Sequence, residues 1–192
     1  MSKWAHVELP ERVATVGGLS FVPLTPTLLE SDYTAVMRDI PMLRAWSGQD
    51  WPTVDFTMAE DLLDLERHDR EQRMGLALTY SVLIDDVVQG CIYVRPILDA
   101  LATRGVTNVD ASTLPVGDIV VRGWLHDRPA VDLVRASTWW LQRPPIATGR
   151  LWWQTNTQCP DQLDACDALG LTEALSFDGV GNTWVLRSRP TA

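Results

Sequence analysis

The residues best placed to do chemistry lie in one strand-to-helix turn, Gly123-Trp124-Leu125-His126-Asp127-Arg128-Pro129-Ala130. A helix N-terminus presents unpaired amides there, so such a turn can hold a phosphate-bearing cofactor. The glycine spacing that lets backbone approach a phosphate closely is absent. Other chemistries have little support. His6, His68 and His126 are far apart, and Cys91, Cys159 and Cys166 show no C-x-x-C spacing. Neither a structural zinc site nor a disulfide framework is expected. There is no G-x-S-x-G elbow and no G-x-x-x-x-G-K-[ST] loop. Gly179-Val180-Gly181 needs only turn geometry.

The elements around that turn read strand (Asp118–Arg122), helix (Ala130–Gln142), strand (Arg150–Thr157), helix (Asp161–Leu169), strand (Thr172–Phe177), which implies crossover helices on a sheet. Upstream, Leu19–Leu24 predicts a strand, with Pro23 suggesting an edge. Thr27-x-x-Glu30 predicts a capping box opening a helix to about Asp39, and Pro41 breaks it. Thr57-x-x-Glu60 predicts a second box, opening a helix from Met58 to about Arg73 with Met58, Leu62 and Leu65 on one stripe. Its polar half, Glu66–Arg73, reads as a solvated face with ion pairs such as Glu66–Arg70, or as the border of a cleft. Leu78–Asp85 and Val87–Arg95 pair through a turn at Asp85-Asp86, with Gly90 marking a bulge or a close approach. Leu98–Pro115 is an irregular connection with a helical turn at Leu98–Thr103. Thr183–Arg187 is the last strand. Residues 1–18 read as a loosely ordered lead-in and 19–192 as a single domain.

Composition narrows the partners. The 192 residues carry a formal net charge of −9, which argues against a nucleic-acid backbone as partner. No apolar run approaches the roughly 20 residues that cross a bilayer, and the N-terminus lacks an apolar signal region. A cytoplasmic protein is expected by elimination. Nine tryptophans include the doublets Trp139-Trp140 and Trp152-Trp153. One ring of each doublet is expected in the core and its neighbour near the surface, and both rings of a strand doublet are buried only if that strand is covered on both sides.

The order β-α-α-β-β-β-α-β-α-β-β resembles the GNAT superfamily of N-acetyltransferases. Cys166-Asp167-Ala168-Leu169-Gly170-Leu171-Thr172-Glu173 is similar to that family's Y-E-K-L-G-F helix terminus, with Gly170 as the left-handed residue ending the helix. Asp55-Phe56-Thr57 and Gly90-Cys91-Ile92-Tyr93 resemble a divergent branch of the same superfamily. The likeness spans Leu19 to Arg187. It implies an α/β (α+β) domain with a mixed, mostly antiparallel sheet of six to seven strands flanked by helices. It also implies transfer of an acetyl group from acetyl-CoA to the primary amine of a small molecule or peptide, with no metal.

In that family the cofactor's pyrophosphate meets a Q/R-x-x-G-x-G/A turn. Here Arg128 or Pro129 stands at the first glycine, and Leu125 or His126 at the basic position. The resemblance makes Val121, Arg122, Trp124, Arg128, Pro129 and Ala130 the cofactor-binding candidates, with a wedge for the pantetheine arm opening beside Val121. Arg122, His126 and Arg128 could replace backbone donors, the site could take a less charged ligand, or the turn could be structural. Cys166 stands where many relatives carry a tyrosine acid, and reads either as that acid or as a small core residue. Cys159 replaces an asparagine. Asp118, His126, Glu66 and His68 are the candidate bases. The acceptor is expected against Asp39–Phe56, at Arg44, Trp46, Asp50 and Trp51. The alternative is a non-catalytic protein of this fold that binds a small molecule or protein through a tryptophan-rich groove. A homodimer that buries tryptophan-rich surface is a third reading.

Overall fold

Two strands, β5 (Ile119–Leu125) and β6 (Leu151–Asn156), run parallel through the middle of the sheet and are buried on both faces. A parallel pair needs a crossover, and the helix α5 (Ala130–Leu141) supplies it. In the computed structural model, which describes residues 3–15, 17–106, 114, 117–143, 146, 149–179 and 182–190, every other strand pairing is antiparallel. The strands β1 (Val13–Ala14), β2 (Ser20–Pro23), β3 (Leu78–Ile84), β4 (Val87–Pro96), β7 (Glu173–Gly179) and β8 (Asn182–Ser188) complete a sheet ordered β1-β2-β3-β4-β5-β6-β8-β7. Among the described residues it has eight strands rather than six to seven, the two-residue β1 being unforeseen. Because β1 pairs only with Ser20 and Phe21, Pro23 lies on the uncovered part of β2. The Leu98–Pro115 connection opens with the short helix α4 (Ile97–Ala102), and its residues 107–113 and 115 lie outside the described residues.

Side-chain alternation divides the core. Val121 and Trp153 face α5 and α6 (Pro160–Ala168), together with Ile92, Val94, Leu133 and Cys166. Trp124 faces the other side, against α1 (Leu29–Arg38), α2 (Ile40–Ser47) and α3 (Met58–Arg73). Val120 and Trp152 face α4 on that same side. Both rings of Trp152-Trp153 are therefore buried, one in each layer, and the expected surface ring is absent. The helical doublet does divide, with Trp139 45 % exposed and Trp140 6 %.

Local signals fared unevenly. The Thr57 box forms: Glu60 N–H donates to Thr57 Oγ1 at 3.2 Å, and Thr57 N–H to Glu60 Oε2 at 2.8 Å. The Thr27 box does not. A 3₁₀ turn at Pro26–Leu28 precedes α1, and Thr27 Oγ1 instead meets Thr25 Oγ1 at 2.7 Å. Asp85 and Asp86 both take positive φ, as a tight hairpin turn requires. The pairing of β3 with β4 shifts register beside Gly90. The N-terminal lead-in is packed rather than loose, since Trp4 is buried and donates its indole N–H to Ile146 O at 3.1 Å.

Helix α3 buries Asp61, Leu65 and His68 instead of a Met58–Leu62–Leu65 stripe. Its ion pairs are Asp64–Arg67, Arg67–Glu71 and Asp69–Arg73 rather than Glu66–Arg70. Asp32 on α1 and Asp61 each leave one buried carboxylate oxygen without a partner among the described residues. Burial pushes Asp32 up to about 8, with Asp61 and Asp64 adding repulsion. Burial and Asp64 push Asp61 up to about 7. Both values lie above that of an unfolded aspartate, so the native state holds protons that the unfolded chain releases. The contribution of these groups to stability is greatest below about pH 4 and is lost as pH rises toward about 8. An Asp32→Asn variant should raise the melting temperature, by several degrees more at about pH 8.5 than at about pH 5. Paired thermal melts at the two pH values check this.

Candidate functional site

The parallel ladder between β5 and β6 stops early. Ile119 pairs with Leu151, Val120 with Trp152 and Val121 with Trp153, and beyond these the strands part. β5 continues with β4 as far as Leu125, and β6 with β8 as far as Asn156. Below this fork Asp118 fastens the strands together. Its Oδ1 accepts the Arg150 N–H at 2.9 Å and its Oδ2 the Trp152 indole N–H at 2.8 Å.

Above the fork, polar side chains span each face. On the α5–α6 side, Gln162 Nε2 donates to Gly123 O at 2.9 Å and its Oε1 accepts from Trp153 Nε1 at 3.2 Å. On the other side the buried end of α2 lies across the opening. Asn156 Nδ2, from β6, donates to Ala45 O at 2.9 Å and Trp46 O at 3.1 Å. Arg122 Nη2, from β5, donates to the same Trp46 O at 3.2 Å. Arg104 Nη1 donates to Ser47 O at 3.2 Å, and Gly48 N–H to Arg44 O at 2.9 Å. Gly48 ends the helix at φ +67, and a Cβ there would come within 2.9 Å of the Trp184 ring, so both conformation and space demand glycine.

Between α2, α3, α4 and the sheet lies a cavity of about 320 Å³. Its floor is Val120, Arg122 and Gln154, at the point where the strands diverge. Trp46, Trp51 and Tyr93 form aromatic walls, while Asp64, Arg67 and His68 enter from α3 and Arg95 and Arg104 complete the rim. Arg67 pairs with Asp64 and Glu71, and Arg95 with Glu71 at 2.5 Å. Burial raises Asp64, but the paired Arg67 guanidinium and the neighbouring His68 ring outweigh it and hold the carboxyl down to about 2. His68 Nε2 is 2.9 Å from the Arg67 guanidinium, which can only donate. That contact assigns the ring hydrogen to Nδ1, facing Thr79 Oγ1 at 3.0 Å.

Three solved structures share this architecture. RimL, the ribosomal L7/L12 α-N-protein acetyltransferase in complex with coenzyme A, has a TM-score of 0.66 and 11 % identity over 93 % of this chain and 97 % of its own. AAC(6')-Ib in complex with ribostamycin and coenzyme A has a TM-score of 0.66 and 14 % identity over 90 % and 93 %. The microcin C7 self-immunity acetyltransferase MccE, with acetyl-CoA and AMP, has a TM-score of 0.68 and 10 % identity over 95 % and 98 %. The fold is that of the GNAT acyltransferases. No protein-family model matches the sequence, and no curated protein does.

On this GNAT frame the candidate residues scatter. Trp46, Trp51 and Arg122 meet in the cavity, and His68 joins them. Arg44 and Asp50 instead brace the loop after α2: Arg44 Nε donates to Pro52 O at 2.9 Å and pairs with Asp50, which is exposed. Val121 is the last paired residue below the fork, and Trp124 is buried against α1 and α2. Arg128, Pro129 and Ala130 lie together at the start of α5, with Pro129 at the N-cap rather than in the first turn. Arg122, grouped with them by sequence, points to the opposite layer. His126 turns inward, its Nε2 2.9 Å from Ala35 O, so it ties β5 to α1 instead of facing a ligand. Cys166 is fully buried in the core, where desolvation pushes it up to about 12, and Cys159 is likewise pushed to about 12. Asp118 is committed to structure below the fork.

Asp64, Arg67, Arg95, Arg104, Gln154 and Gln162 carried no motif, and Tyr93 stood only in the Gly90-Cys91-Ile92-Tyr93 likeness. The one usable signal was the polar half of α3, whose cleft-border reading the structure favours. Asp118→Ala leaves two buried donors unpaired and should cost about 2–4 kcal/mol of unfolding free energy, more than Asp118→Asn, in urea titrations.

Proposed function

We propose that this chain transfers an acetyl group from acetyl-CoA to the primary amine of a small molecule. The observation that carries the reading is the fork: the β5–β6 ladder ends at Val121 and Trp153, and the cavity floor lies at that point. A gap between parted strands, spanned by Gln162 on one face and bordered by the cavity on the other, would give an extended cofactor arm and an acceptor one meeting place. The relatives in fold are acetyltransferases seen with coenzyme A or acetyl-CoA.

The start of α5 suits a diphosphate. Its Ala130 and Val131 amides lie in the first turn ahead of the Asp132 N–H, which already donates to Pro129 O at 3.0 Å, and exposed Arg128 has no ion pair among the described residues. Asp127 does not oppose this, because Arg38 binds its two oxygens at 2.6 and 2.7 Å. Ala130 and Arg128 would hold the phosphates, and Gly123 O in the fork would receive an amide of the arm once Gln162 releases it. The cofactor supplies the activated acyl carbon. The cavity positions the amine, and His68, the histidine on its wall, would take at Nε2, once Arg67 gives up that lone pair, the proton the amine must lose as the C–N bond forms; the thioester C–S bond would break in the same exchange and the thiolate leave with the coenzyme.

One observation favours a second reading, a non-catalytic binder of small molecules: Gln162 already occupies the carbonyl that the arm needs. Acetyl-CoA titrations followed by melting temperature and tryptophan fluorescence separate the two. Saturable stabilisation at micromolar ligand is expected for the transferase, and no shift at millimolar ligand would leave the binder. Gln162→Ala should lower stability by about 1–2 kcal/mol yet tighten acetyl-CoA binding, while Arg128→Glu weakens it. His68→Gln should lower turnover about 100-fold with acetyl-CoA affinity unchanged.

A further inference from the structure

The cavity at the fork has a charge that the chain as a whole does not. The protein carries a net −9, yet four arginines, Arg67, Arg95, Arg104 and Arg122, line this space, with Asp64 as the carboxylate among the lining residues. Asp64 is spent on Arg67, and Arg95 is held by Glu71. Arg104 and Arg122 have no ion pair among the described residues. Each donates to one carbonyl at the end of α2. Both guanidiniums lie over aromatic faces, Arg104 over Trp184 at 4.4 Å, and Arg122 over Trp46 at 3.7 Å and Trp184 at 5.5 Å.

The unspent hydrogen-bonding capacity is of one kind. Each guanidinium has five N–H donors and no acceptor. Arg104 Nε is buried without a partner among the described residues, and so is Nε2 of Gln154 on the cavity floor. A pocket made for a polyamine would show spare carboxylates, whereas this one shows spare donors on two fixed cations. Such a site selects an oxyanion, most strongly a planar carboxylate or a phosphate that can take two parallel N–H bonds. At about 320 Å³ the cavity lies at the small end of ligand sites, the size of an amino acid rather than a folded partner.

We infer that the acceptor is a small acidic amine, whose oxyanion is held by Arg104 and Arg122 while its body packs against Trp46, Trp51 and Tyr93. Only the amine rests on the acetyl-transfer reading. The oxyanion rests on the two arginines.

The test measures binding to the full chain without cofactor, so that the two ideas can fail separately. Calorimetric titrations compare L-phenylalanine with phenylalaninamide, phosphoethanolamine with ethanolamine, and putrescine as a dication. At least about tenfold tighter binding of an acid than of its match without the oxyanion is expected. The carboxylate and phosphate arms then identify which oxyanion is preferred. Arg104→Gln and Arg122→Gln should each erase that preference, and Arg122→Lys should keep part of it. Circular dichroism and melts confirm that each variant folds; should Arg122→Gln fail to fold, Arg104→Gln and Arg122→Lys carry the test. Equal or tighter binding of the amide, ethanolamine or putrescine, no binding of any probe at millimolar concentration, or a preference that survives Arg104→Gln overturns the inference. Thiol release from acetyl-CoA is assayed alongside. Acid preference without thiol release upholds the pocket and rejects acetyl transfer. Thiol release with putrescine alone does the reverse.

Discussion

The last carbonyls of a helix have no partner in the helix itself, and the end of α2 is buried where water cannot reach all of them. In this protein they are satisfied from four directions. Gly48 returns to Arg44, Asn156 reaches Ala45 and Trp46, Arg122 reaches Trp46, and Arg104 reaches Ser47. Arg122 belongs to one branch of the fork and Asn156 to the other. A single carbonyl, that of Trp46, thus couples the parted strands to the helix above them. The fork, the cavity and α2 form one hydrogen-bonded unit, and a change in one must be felt in the others.

This arrangement also explains why buried Arg122 and half-buried Arg104 have no carboxylate partner among the described residues. A helix C-terminus carries roughly half a negative charge, and indole faces attract cations by about 1–2 kcal/mol when desolvated. Together they offset part of the cost of burying guanidinium, but half a charge shared by two cations leaves an excess. Its effect shows at Arg104, which burial and the nearby Arg95 lower to about 10 although it remains cationic at neutral pH. The excess is confined to the cavity because Arg67 and Arg95 are neutralised by Asp64 and Glu71. Gly48 matters for the same reason: it lets Trp184 approach closely enough to cover both guanidiniums.

The fold was legible because its signals are local and redundant. From Ile119 to Ser188 each strand or helix begins within about two residues of where apolar runs, turn residues and Gly170 place it. The site was less legible, since side chains from distant segments build it. Arg122 looked like a phosphate ligand because it precedes the α5 turn, but strand alternation sends it to the opposite layer. Asp118 and His126 are chemically capable residues spent on backbone and indole partners, which no spacing reveals. On α3 the buried stripe is Asp61, Leu65 and His68, so a hydrophobic reading selected Met58 and Leu62 and missed the face that borders the cavity. The expectation of a loose N-terminus failed because Trp4 finds its partner more than a hundred residues away.

The two faces of the fork differ in what can displace their polar contacts. On the α5–α6 side the strut is neutral: an amide side chain on a backbone carbonyl, a bond whose net worth is about 1 kcal/mol. An incoming ligand amide replaces like with like there, so the opening can be exchanged without moving any charge. On the α2 side the neutral Asn156 is joined by two cations, Arg122 and Arg104, and a neutral ligand would leave their surplus unrelieved in a low-dielectric wall. A ligand arm of amides therefore suits one face and an anion the other. That division arises from which strand positions carry Gln162's partner Gly123 and which carry Arg122, adjacent residues on β5 that point to opposite layers.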